Sequence, residues 1–295
     1  FKIEVDIDLH KVGRGGEGGN LIVGGKDQEI GQGIHVFNVD VLGAGEGDSS
    51  VADKPSNMGT LTSTNGDLQI INIETAAEFV DGDSWASLTI RDGFNEVGSD
   101  EEYDELMMVN ANDFLGDLTL GTGEAVINLD MLSALGGGDV TFVGVLDGEE
   151  LNQDYVYLTG AGEDTVSVTI EGDALDYAES GLEIKTGSGD DAINVDFDIF
   201  DFDDNTIGND GSNEQLNQAV LDNVDINGEG GDDVINVDGI GNANINGGAG
   251  DDIIYTDGDG FRESASEPSN AVWAFNYDNV RADAGTGSTT GPSTI

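Results

Sequence analysis

The chain has 295 residues, with 61 acids against 9 bases and a formal net charge of −52. Nine basic residues cannot build a phosphate-binding face, which excludes nucleic acid and anionic membrane surfaces as partners. Cysteine is absent and no apolar run reaches the length of a membrane span, so disulfides, thiolate metal sites and membrane insertion are excluded too.

Residue 1 is Phe, which reads as a processed terminus or a fragment. From there Phe1, Ile3, Val5, Ile7 and Leu9 alternate with polar residues, the pattern of a half-buried strand. Such a strand is either the edge of its own domain or free to pair with a neighbouring subunit by strand addition. Residues 12–33 read as a Gly-rich loop, 33–42 (GIHVFNVDVL) as a second strand, and 44–65 as a long surface loop. Residues 67–73 and 85–90 read as strands around a turn at 81–83, and 99–108 as a short capped acidic helix. This places a less regular β-rich domain over residues 1–115, with its terminal strand available for assembly. Charge changes along the chain. The first 54 residues carry 5 bases and 10 acids; the remaining 241 carry 4 bases and 51 acids.

From residue 117 a phrase begins to recur. Its clearest copies are residues 224–237 (VDINGEGGDDVINV) and 243–256 (ANINGGAGDDIIYT), nineteen residues apart. Each has an alternating apolar run, a Gly-rich bend, an Asp pair and a second alternating run. Glycine allows positive φ, so the chain can bend tightly with its carbonyls gathered on one side. An Asp carboxylate beside those carbonyls makes an all-oxygen nest, which suits a hard cation, and its flexible geometry suits Ca²⁺ over Mg²⁺. The candidate ligands are Asp164, Asp190, Asp191, Asp232, Asp233, Asp251 and Asp252, within bends formed by Gly187, Gly189, Gly228, Gly230, Gly248 and Gly250. A single Gly-Asp turn is ordinary in β proteins; four copies in phase are not.

The phrase resembles the nonapeptide G-G-x-G-x-D-x-U-x of RTX (repeats-in-toxin) proteins, where U is a large apolar residue. Gly247-Gly248-Ala249-Gly250-Asp251-Asp252-Ile253-Ile254 matches every fixed position. The copy at Gly228 departs at the second glycine (Glu229), and those at Thr186 and Thr159 depart at the first. A fifth stretch, residues 120–127, has Ala125 where the Asp belongs and reads as a bend without an ion. The resemblance implies a Ca²⁺-stabilised parallel β-roll over residues 116–260, in an all-β protein. Its anchors Gly123, Gly162, Gly189, Gly231 and Gly250 lie 39, 27, 42 and 19 apart. The gap of 42 fits two turns of nineteen, or one turn with an insert at 198–218 that ends in a short helix after Ser212. Residues 261–295 read as a cap and tail. Trp273, Phe275 and Tyr277 alternate there, and the Gly/Ser/Thr end resembles the secretion signal of type I substrates.

An enzyme is not expected. There are two histidines, no H-E-x-x-H, no Cys nucleophile and no G-x-S-x-G. Sixty-one acids always contain carboxylate pairs, but nothing singles out one for glycoside hydrolysis. Charge of this size opposes compaction, and ions that bind only the folded chain offset it by mass action. A halophile's solvated surface gives the same composition. The expectation is an extracellular, calcium-binding structural protein, exported by a type I system. It would pair with copies of itself in a fibre or surface layer, with cell-surface polysaccharide as a further partner. The alternatives are a monomeric adhesin or accessory module of a larger secreted protein, and a phage virion component.

Overall fold

In the computed structural model, the residues described are 2–10, 12–13, 18–24, 33–42, 56–64, 67–76, 87–94, 106–122, 127–146, 154–171, 181–198, 224–238 and 243–257. Among them there are nineteen strands and no helix. The strands are β1 Glu4–Leu9, β2 Leu21–Val23, β3 Val36–Val41, β4 Ser56–Ser63, β5 Ile70–Thr75, β6 Leu88–Gly93, β7 Met108–Asp113, β8 Leu118–Leu120, β9 Ile127–Asn128 and β10 Met131–Ala134. They continue with β11 Val140–Leu146, β12 Asp154–Thr159, β13 Thr165–Glu171, β14 Gly181–Lys185, β15 Ala192–Asp198, β16 Val224–Asn227, β17 Val234–Asp238, β18 Ala243–Asn246 and β19 Ile253–Asp257. The protein is all-β, built on two parallel sheets.

The chain divides into two compact units, residues 1–144 with 159–162, and residues 145–158 with 163–295. In the first, β1, β3, β5, β7 and β10 lie side by side in one sheet, and β2, β4, β6, β8 and β11 in the other. In the second, β12, β14, β16 and β18 form one ladder and β13, β15, β17 and β19 the other. The chain passes from one sheet to the other and back on each circuit. Each strand therefore meets its counterpart one circuit later, in parallel. Parallel pairing begins at β1, whose Glu4 to Leu9 match Val36 to Val41 of β3.

The period-2 alternation decides which side chains fill the interior. In the first unit Phe37, Ile71, Val109 and Leu132 stack at one register position, each fully buried. In the second, Val166, Ile193 and Ile235 do the same, as do Ile184, Ile226 and Ile245. Each such side chain contributes about 1.5–3 kcal/mol by leaving water. The outward positions carry polar ladders. Asp6, Asn38, Asn72 and Asn110 share one register, and each amide donates to the residue one circuit earlier at 2.9, 2.9 and 3.3 Å.

Several expectations are corrected. Residues 44–65 are not one long loop, because β4 runs from Ser56 to Ser63 with Met58 and Leu61 buried. Its composition hides this: Ser56, Thr62 and Ser63 are also buried, and both Thr62 Oγ1 and Ser63 Oγ donate to carbonyls one residue on. The Gly-rich stretch 12–33 contains β2. Of the expected helix, residues 99–105 lie outside the described residues. Its end is not helical, since Met108 opens β7 and pairs with Ile70. The acids suggested a helix start, but the alternating MVNA that follows is strand.

The interval of 42 residues is one circuit, because β15 pairs directly with β17 and β14 with β16. Apart from Asp198, which ends β15, the proposed insert at 198–218 lies outside the described residues, as do the helix after Ser212, the turn at 81–83, the cap strand at 273–277 and the tail. So does half of the fifth phrase, residues 123–126. Its first residue, Leu120, ends strand β8 rather than opening a bend.

Candidate metal centre

An aspartate stands immediately before β13, β15, β17 and β19: Asp164, Asp191, Asp233 and Asp252. The bend ahead of it is held by backbone bonds between circuits. Gly189 N–H donates to Gly230 O at 2.8 Å, Gly231 N–H to Ala249 O at 2.9 Å, and Ala249 N–H to Glu229 O at 2.8 Å. Ser188, Gly230 and Ala249 are paired as parallel bridges, which fixes the bends in register. At Gly250, φ is +151°, and an added Cβ would lie 2.6 Å from the Gly231 carbonyl carbon, so the close stacking demands glycine. The second position of the phrase is also left-handed, at Gly187 (+91°) and Gly248 (+97°). Glu229 holds the same place at +68°, among the described residues the one non-glycine with positive φ.

The two aspartates of each pair do different things. The second ones form an inner column in which Asp164, Asp191 and Asp233 are 1%, 2% and 0% exposed. Each Oδ1 accepts from the circuit before it: Asp191 from Asp164 N–H at 2.8 Å, Asp233 from Asp191 N–H at 2.9 Å, Asp252 from Asp233 N–H at 3.1 Å. The first ones are exposed and bond in the opposite sense. Asp190 Oδ1 accepts from Asp232 N–H at 2.9 Å, and Asp232 Oδ1 from Asp251 N–H at 2.8 Å.

The inner column leaves oxygen unused. Oδ2 of Asp233 and Oδ2 of Asp252 are buried without a hydrogen-bond partner. A buried carboxylate with half its acceptors unmet is costly unless a proton or a cation reaches it. Burial accordingly pushes the Asp233 carboxyl up to about 6; the Asp191 amide opposes this, and repulsion from Asp191, Asp252 and Asp190 adds to it. Glycine makes the room. A Cβ at Gly228 would collide with Asp233 Oδ2 and lie 2.6 Å from the Gly247 carbonyl oxygen. A Cβ at Gly247 would collide with Asp252 Oδ2.

No protein-family model, curated protein or solved structure matches the chain. Its chemistry is therefore read from its own atoms. Among the described residues no group of three or more His, Cys, Asp or Glu is arranged to hold a metal. Beside Asp233 Oδ2 lies the Gly247 carbonyl oxygen, and carboxylate with carbonyl is the kind of oxygen donor that suits Ca²⁺.

Asp164, Asp191, Asp233 and Asp252 thus share the inner side, and Asp190, Asp232 and Asp251 the outer side. Gly187, Gly189, Gly228, Gly230, Gly248 and Gly250 line the bends between them. Two further aspartates in the pre-strand position escaped the sequence reading: Asp117 before β8 and Asp139 before β11. Asp139 N–H donates to Asp117 Oδ1 at 3.2 Å, and both side chains are exposed. The signal was present in Gly136-Gly137-Gly138-Asp139, a glycine bend followed by the alternating run of β11.

A second acidic feature lies on the outward face of the first unit. Asp8, Asp40, Glu74 and Asp113 share a register. Asp40, Glu74 and Asp113 line a cavity of about 450 Å³ together with Asp6, Asn38 and Asn72. The Glu74 carboxyl is raised, first by its hydrogen bond with Asp40, then by partial burial and by the charges of Asp40 and Asp113.

Proposed function

We propose that the chain is a calcium-stabilised β-roll of RTX type that acts as a structural protein outside the cell. The observation that carries this reading is the buried, unpartnered Oδ2 of Asp233, set beside the Gly247 carbonyl where glycine leaves room. Calcium there would meet the stranded oxygen and offset part of the charge of −52. Sites with few charged ligands are weak, so they fill at the roughly millimolar calcium found outside cells. The chain would then pass out of the cell unfolded and fold on arrival, by metal linkage.

Self-assembly into a fibre or layer is the role we assign to the folded roll. Its support is the free edge of β1 and of β2, each with a strand on one side among the described residues. Ile3 and Ile22, beside and within those strands, are 42% and 46% exposed. An unpaired parallel edge is a template for a second copy. One observation favours the monomeric module instead: Glu4, Asp6 and Asp8 are exposed on β1, and charge on an edge strand guards against pairing. Electron microscopy of the purified chain with and without calcium separates the two. Filaments or sheets with calcium support assembly; dispersed particles after long incubation leave the monomeric module.

A further inference from the structure

The outward face of the first unit carries its side chains in columns, one residue from each circuit. In the amide column each Asn donates once, to the residue one circuit earlier: Asn38 to Asp6, Asn72 to Asn38 and Asn110 to Asn72. An Asn amide has two N–H groups, so each of these three keeps one that the ladder does not use. Two residues further along the strands stand Asp8, Asp40 and Glu74. Straight register would set Asn112 opposite Glu74, but the pairing shifts there and Asp113 takes the place. Bulges re-aim side chains in this way beside functional sites. Asn112 serves the next circuit instead, its Oδ1 accepting from Ser133 Oγ at 2.8 Å and Leu135 N–H at 3.1 Å. The amide and carboxylate columns together line the cavity of about 450 Å³, which crosses β1, β3, β5 and β7. That volume is within the usual range of small-ligand sites.

These columns define a ligand by its hydrogen bonds. Each circuit offers a spare amide N–H with a carboxylate beside it, and the pair recurs about every 4.8 Å from strand to strand. A metal ion draws on the carboxylates and has no use for an N–H donor. An anion is repelled by Asp40, Glu74 and Asp113. Hydroxyl groups use both columns, since each one donates and accepts. Among the described residues that line the cavity there is no Lys, Arg or His. The Glu74 carboxyl is raised by its hydrogen bond with Asp40, by partial burial and by the charges of Asp40 and Asp113, so the groove is short of positive charge. On the other side of the amides, Ile70, Met108 and Met131 form a half-buried apolar column, which suits the C–H edges of a sugar ring. We propose that this groove binds a linear saccharide bearing amino groups. Its hydroxyls bond the amides of Asn38, Asn72 and Asn110, and its ammonium groups bond Asp40, Glu74 and Asp113. Charge-assisted bonds from ammonium to carboxylate carry most of the affinity. The site is separate from the aspartate columns of the bends and does not depend on calcium there.

Titration calorimetry of the full chain with a short glucosamine oligosaccharide tests the site, with circular dichroism to check folding. The oligosaccharide should bind. Its N-acetylated counterpart, which has hydroxyls without the charge, should bind at least tenfold more weakly. Spermidine, which has the charge without hydroxyls, should also be at least tenfold weaker. Asp40→Asn and Glu74→Gln keep the side-chain shape, relieve repulsion in the groove and should each weaken oligosaccharide binding at least tenfold. Asp238→Asn removes the same charge from the exposed end of β17 and should leave the affinity unchanged. A folded chain that does not bind the oligosaccharide would overturn the proposal. Spermidine binding as tightly would reduce the groove to a general cation-attracting surface, and equal loss in Asp238→Asn would place the effect in overall charge; either result overturns it as well.

Discussion

Asp252 Oδ1 accepts a hydrogen bond from the Asp233 amide at 3.1 Å, while the Oδ2 atoms of both residues are buried with no partner. One oxygen of each carboxylate thus ties two circuits together, and the other is stranded. The stranded oxygen is what a cation or a proton would meet, and its consequences are measurable.

Replacing Asp233 by Asn separates the tie from the charge. Asn keeps an Oδ1 acceptor for the Asp191 amide and removes the buried negative charge. In chelator the variant should melt higher than the parent, because a desolvated, repelled carboxylate is gone. In calcium the order should reverse. Thermal melts under both conditions check the crossing.

The pH dependence follows from the raised Asp233 carboxyl. Its value goes from 3.8 in the unfolded chain to about 6 in the folded one. The folded state holds this proton more tightly, so its contribution to stability is complete below 3.8 and is lost as pH rises through about 6. Metal-free protein should therefore lose melting temperature between those limits, with Glu74 acting in the same sense. Calcium competes with the proton, so calcium affinity should rise over the same window. Melts and titrations across pH 4 to 7 in buffered solution read both slopes.

Glu229 sits where the neighbouring bends have glycine, at φ +68°. A left-handed non-glycine residue costs about 1–2 kcal/mol, of which glycine's greater unfolded-state freedom returns part. Glu229→Gly should stabilise by about 1 kcal/mol, and removing a negative charge adds in the same direction. Gly248→Ala should do the opposite by more than that. Its φ is +97°, and the added Cβ would lie 2.5 Å from the Glu229 carbonyl carbon. Urea denaturation of both variants gives the two signs.

The amide ladder of the first unit makes Asn72 the shared member of two bonds. It donates to Asn38 at 2.9 Å and accepts from Asn110 at 3.3 Å. Asn72→Ala should cost about 1–2 kcal/mol, and Asn110→Ala about as much, because Asn110 also loses two bonds: its amide donates to Asn72 at 3.3 Å and its Oδ1 accepts from the Asn112 N–H at 3.4 Å. Equilibrium unfolding of the pair checks the ratio.

How much of this was legible in the sequence depended on side-chain pattern. Alternating apolar runs such as VFNVDV and VTFVGVL announced their strands. The pairing Asp232-Asp233 and Asp251-Asp252 announced the bends. β4 was hidden because SNMGTLTS fills buried positions with small hydroxyl residues that bond to neighbouring carbonyls, and hydropathy does not register them. The bend at Asp139 was passed over because the phrase was anchored on Gly123 instead of Gly138, on which Gly162 stacks. The opposite senses of the two aspartate ladders could not be read at all. Adjacent acids look alike in a sequence, and burial alone separates Asp233 from Asp232.

The central claim is that the second unit needs divalent metal to close its bends. Far-ultraviolet circular dichroism of chelator-treated protein during calcium titration, followed by a melt at each step, tests it most directly. The account predicts that β signal and melting temperature both rise with calcium and reach a plateau. Full β signal and an unchanged melting temperature in chelator would contradict it.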